Sequence, residues 1–109
     1  MITITNIPGP AGSTLTQVNF EGTGTGFGAI FDTSTFIGGG KDGTFSQMGA
    51  VYLDNGEILN GLGQGTYESK GNHQWSTKSV IQISDGRRLA SAGEMNLAAR
   101  TWKGTLSEI

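Results

Sequence analysis

Apolar and small residues alternate with polar ones along nearly the whole chain, and no segment repeats apolar positions at helical spacing. Alternation at period two marks one face of a strand. It predicts strands over Leu15–Gly22, Gly24–Thr33, Thr44–Leu53, Ile58–Glu68, His73–Ser84, Arg87–Leu97 and Thr101–Glu108. A short eighth, Ile2–Ile7, ends where Pro8, Gly9 and Pro10 break it. Turn signals separate these segments. Asp54, Asn55 and Gly56 contain the Asn-Gly hairpin pair, and Ser84, Asp85 and Gly86 contain its Asp-Gly counterpart. Ser69 to Asn72 reads as a further turn, and Ala98 to Arg100 as a weaker one.

The glycines follow the same period. Gly22, Gly24, Gly26 and Gly28 alternate, as do Gly61, Gly63 and Gly65, so each set leaves one strand face without side chains. A bare face lies against another backbone or a large aromatic, bends the strand, or leaves room for a ligand. The two marked hairpins also align at a spacing of 30 residues: Gly56 with Gly86, Leu59 with Leu89, Gly63 with Gly93 and Val51 with Ile81. Repeated hairpins in chain order make a meander. Seven or eight long strands on a thin core favour closure, because closure removes exposed edges. The expected fold is all-β, an antiparallel up-and-down β-barrel of about eight strands in a single domain over residues 1–109. A two-sheet β-sandwich is the alternative.

Composition narrows the chemistry. The 109 residues include no cysteine and one histidine, which removes disulfides, thiolate metal sites, cysteine nucleophiles and any site needing two imidazoles. No metal or cofactor is expected. A net charge of −2 and a pI near 5.2 argue against a nucleic-acid partner. No apolar run approaches the ~20 residues of a membrane helix, and no leader pattern opens the sequence, so no membrane partner and a cytoplasmic location are expected. Gly24, Gly26 and Ala29 match a dinucleotide fingerprint, but the Thr- and Phe-rich residues that follow do not suit the helix it requires. A thin core and low surface charge point to a homo-oligomer.

Four stretches carry a family resemblance: Phe45 to Gly56 (FSQMGAVYLDNG), Gly61 to Tyr67 (GLGQGTY), Ser84 to Gly86, and Gly104 to Leu106. In glycine and turn spacing, residues 20–108 resemble small bacterial barrels of the allene oxide cyclase-like superfamily, which also holds dirigent proteins. The resemblance implies an eight-stranded barrel, often oligomeric. It also implies a mostly apolar cavity that in some members steers a cyclisation or isomerisation. It carries over no catalytic residue.

Read from the residues themselves, two side chains are candidates for proton transfer. His73 is the sole imidazole, although its place beside a turn suits a solvated residue. Glu94 lies among Ala90, Ala92, Asn96 and Ala98 on one strand parity, with Gln64 at the matching place 30 residues earlier. Small neighbours leave room for a substrate, whereas an outward strand face would leave Glu94 in water. Tyr52, Gly63, Gln64, Trp75 and Trp102 are the candidate ligand contacts. The expected function is binding of a small, largely apolar molecule, with isomerase or cyclase chemistry as its extension. The alternatives are a non-catalytic module, for carbohydrate or another small ligand, and a structural accessory protein.

Overall fold

A computed structural model describes all residues, Met1–Ile109. Eight strands follow one another as a single antiparallel sheet in chain order: β1 (Ile2–Pro8), β2 (Thr14–Gly24), β3 (Gly28–Ile37), β4 (Asp42–Tyr52), β5 (Ile58–Gly71), β6 (Gln74–Ile83), β7 (Arg88–Asn96) and β8 (Thr101–Glu108). The sheet curls strongly into a half-barrel. The meander expected from the turn signals is therefore present, and the single sheet excludes the sandwich. The only helical element is a short 3-10 turn at Pro10–Gly12.

Closure stops short of a continuous ladder. β1 and β8 each pair with one neighbour. The seam between the sheet's two ends carries one backbone hydrogen bond, from the amide of Ile2 to the carbonyl of Arg100 at 3.1 Å. β1 has seven residues and spans Thr14–Phe20 of β2, and Met1 adds bonds to Glu21. Gly22–Gly24 extend past it without a partner on that side.

The two hairpin turns separated by 30 residues are built alike. The amides of Leu53 and Ile83 donate to the carbonyls of Glu57 and Arg87, both at 2.9 Å. Asn55 and Asp85 each accept from the backbone amide two residues on, at 2.9 and 3.0 Å. Gly56 and Gly86 take the left-handed position, at φ 92° and 97°. The glycine series at 22–28 divides differently from its sequence reading. Gly22 and Gly24 end β2, whereas Gly26 lies in the β2–β3 turn at φ 82° and Gly28 opens β3 at φ 117°. That moves β3 four residues later than alternation alone places it, because the turn repeats at the same period of two as a strand.

Alternate residues of every strand face the concave side, where two apolar clusters form. The larger contains Ile2, Val18, Phe36, Phe45, Tyr67 and Met95. Phe36 stacks on Phe45 with ring centroids 4.8 Å apart, and Tyr67 meets Phe36 edge-on at 5.2 Å. Each such ring contributes about 1.5–3 kcal/mol when fully buried. The Tyr67 hydroxyl donates to the carbonyl of Ile37 at 2.8 Å and anchors the Gly38–Gly40 turn. The smaller cluster is Leu59, Ile83 and Leu89, with Phe27, Val51, Leu53 and Ile81 against it. The bare glycine positions are mostly covered by neighbours: the Phe20 ring over Gly22, and Phe45 with Ser79 over Gly65.

Candidate functional site

A concave pocket of about 590 Å³ opens inside the curled sheet. Its walls include the end of β2 (Thr23, Gly24) with Thr25, and β8 from Trp102 to Leu106. These strands lie at the open seam, so incomplete closure leaves the pocket accessible. Phe20, Phe27, Ile30, Val51, Ile81, Ile83 and Leu89 supply most of the apolar lining. The volume lies within the ~300–1,000 Å³ of small-molecule sites. Gly49 and Gly61, on β4 and β5, line it without side chains, the use of bare strand faces that alternation allows.

One carboxylate interrupts this lining. Asp32 stands on β3 with the same parity as Ile30, Ser34 and Phe36, and therefore faces the concave side. In the ladder it is opposite Gly49 and Phe20. The Ser34 hydroxyl donates to its Oδ2 at 2.6 Å. No cation pairs with it; the one ion pair of the molecule joins Arg87 and Asp85 at the β6–β7 turn. Burial pushes the Asp32 carboxyl above the usual carboxylate range, against the opposing pull of the Ser34 hydroxyl and the Gln47 side chain. Gln47 also lines the pocket, and its Oε1 is buried without a donor. A carboxyl held largely out of water without a cation, beside an amide oxygen with no donor, is the kind of costly polar arrangement that concentrates at functional sites.

Of the residues singled out from the sequence, Trp102 lines the pocket. Its indole N–H donates to the Thr77 hydroxyl at 3.1 Å, and its rings meet Phe20 and Phe45 at 6.3 and 6.1 Å. Gly63 faces the concave side but is covered: a Cβ there would lie 2.8 Å from Gln47 Cγ and 3.0 Å from Ile81 Cγ1. Trp75 packs against the larger cluster and donates to the carbonyl of Gly40 at 2.7 Å. The other four lie elsewhere. Gln64 and Tyr52 are exposed on the convex face, where Tyr52 packs edge-on against Phe31 at 5.6 Å. Glu94 is exposed between Ser76 and Lys103 in the ladder, on the outward parity of β7. No bulge interrupts β7 to reverse that parity. His73 is exposed in the β5–β6 turn at φ 59°.

Asp32 escaped the sequence reading, although a signal for it existed. It is the one charged residue on the parity set by Ile30 and Phe36. The expected strand ends at Thr33, four residues short of the end of β3, and so lacks the Phe36 position that completes the apolar parity. No helix is long and apolar enough to cross a membrane. Comparison with family models, with curated proteins and with solved structures yields no match.

Proposed function

We propose that the concave pocket binds a small, largely apolar molecule and that Asp32 is its polar anchor. The observation that carries this reading is the carboxyl of Asp32, held by Ser34 and without a cation, among the apolar side chains of a pocket open at the seam. Protonated, Asp32 donates a hydrogen bond to a ligand carbonyl or ether oxygen; ionised, it accepts one from a hydroxyl. Apolar walls supply affinity, and a few polar groups, Asp32 and Gln47 among them, fix orientation.

Where the bound molecule is a substrate, the same carboxyl is the group placed to move a proton. Shape then does much of the remaining work, because holding a flexible chain in one near-reactive conformation removes entropy from the barrier. Cyclisation or isomerisation is the reaction class that such a site suits, and the resemblance to allene oxide cyclase-like barrels supports it.

A neutral dialkylaminonaphthyl ketone dye, whose emission rises in apolar surroundings, tests the binding reading. It is expected to bind the native protein and to quench Trp102. Gly61→Leu, whose Cβ would press on Ile81 and Ile83 at 3.2 Å and crowd the pocket wall, is expected to weaken binding at least about tenfold, in protein shown by circular dichroism to be folded. Asp32→Ala removes the hydrogen bond and is expected to cost about 1 kcal/mol, or fivefold to tenfold in affinity. Equal affinities in all three proteins would refute the site. For the chemical extension, Asp32→Asn keeps shape, so retained binding with lost turnover is the expected result once a substrate is found.

A further inference from the structure

The convex face of the sheet carries an apolar patch that the pocket does not use. Phe31 on β3, Met48 and Tyr52 on β4, Ile58 and Leu62 on β5, and Val80 on β6 point outward and are 45–65% exposed. The ladder places them side by side: Met48 opposite Leu62, and Tyr52 opposite Ile58. Ala50 and Asn60 fill the ground between. No Asp, Glu, Lys or Arg lies among these positions; Glu21 stands at the margin opposite Phe31 on β2, and Lys78 and Arg88 stand at the other margin, on β6 and β7.

We propose that this patch is the interface of a two-fold homodimer in which two sheets meet by their convex faces. The occupant follows from area and charge. Six large side chains near half exposure leave on the order of 600 Å² of apolar surface, at the upper end of what monomers expose. With polar rim residues such as Gln64 and Gln82, the face approaches the ~800 Å² per partner of a stable interface. A two-fold contact sets the patch against itself, which places like charges together unless the patch has none. The centre of this patch has none and its rim carries both signs, Glu21 on one side and Lys78 and Arg88 on the other, so a second copy is its fitting partner. The core gives a further reason: 13 of 109 residues are buried in the isolated chain. The proposal does not rest on the pocket, which opens on the other side of the sheet.

Sedimentation equilibrium at micromolar concentration tests it. The native protein is expected at twice its 11.4 kDa chain mass. Met48→Lys combined with Leu62→Lys sets lysines against one another and is expected to weaken the dimer at least about 100-fold, leaving the monomer with an unchanged circular dichroism spectrum. Thr5→Lys with Ser107→Lys charges the two sheet edges and is expected to keep the dimer. If the paired patch lysines disturb folding, Leu62→Gln with Val80→Gln replaces them, with the monomer again expected. A native protein that stays at the chain mass at every concentration, and so leaves the patch to a different partner, overturns the proposal. So does a dimer that survives in the folded patch variants or is lost in the edge variant.

Discussion

Asp32 and Gly63 show how single positions divide the concave face between chemistry and packing. Burial holds the Asp32 carboxyl above its ordinary value of 3.8. Between that ordinary value and the raised folded one, the folded protein keeps a proton that the unfolded chain has released. The contribution of Asp32 to stability is therefore most favourable below the ordinary value and declines as pH rises through the folded value. Asp32→Asn removes the titration and keeps a partner for Ser34. Denaturant unfolding of both proteins across a pH series is expected to show the variant's advantage growing through that window and then levelling. An advantage independent of pH would place Asp32 in water. Gly63 behaves differently, because Gln47 and Ile81 occupy the space above it. Gly63→Leu is expected to overpack the face and lower unfolding free energy by about 1–3 kcal/mol. Unchanged stability in the same assay would mean the volume is open.

At the scale of elements, turns decide where chemistry can sit. β5 and β6 are joined by Asn72 and His73, both left-handed, at φ 51° and 59°. Two such residues make the tight turn whose twist matches a hairpin, and glycine is favoured at its second position. A non-glycine residue there costs roughly 1–2 kcal/mol. His73→Gly is accordingly expected to raise stability by about 1 kcal/mol and to leave dye binding unchanged. A loss of binding would return the imidazole to the site. Glu94 tells a similar story through parity. On a strand without a bulge, its neighbours Gly93 and Met95 face inward and the carboxylate faces water. The small residues around it are those of a convex surface.

For the whole molecule, the seam is the decisive feature. β5 is paired on both sides, to β4 and β6, whereas β8 has a ladder to β7 alone. Amide hydrogen exchange is expected to protect β5 most, and to leave the β8 amides that face the seam exchanging fastest. Uniform protection along β8 would indicate a closed barrel and a sealed pocket. The same openness explains why a chain with few buried residues keeps a sizeable pocket: β1 and β8 form no ladder, and two separate apolar clusters, rather than one continuous core, pack on the concave face.

Strand content, chain-order topology and the two matched hairpins were legible in the sequence because they depend on neighbours a few residues apart. Period-two alternation names a strand wherever one face is buried, and Asn-Gly or Asp-Gly names the turn. The shared parity of Gly61, Gly63 and Gly65 also belongs to that local record, whereas the face it points to does not. The remainder depended on contacts between strands. Alternating glycines look the same in a turn as in a strand, so β3 could be placed only once Gly28 met the backbone of Tyr52 across the sheet. Which glycines leave volume and which are roofed by Phe20, Phe45 or Gln47 is a property of the facing strand. The meeting of Asp32 with Gln47, 15 positions away, came from the register of β3 on β4, and the open seam from the absence of a ladder between β1 and β8. Register and closure are sums over the whole sheet, and no window of the chain contains them.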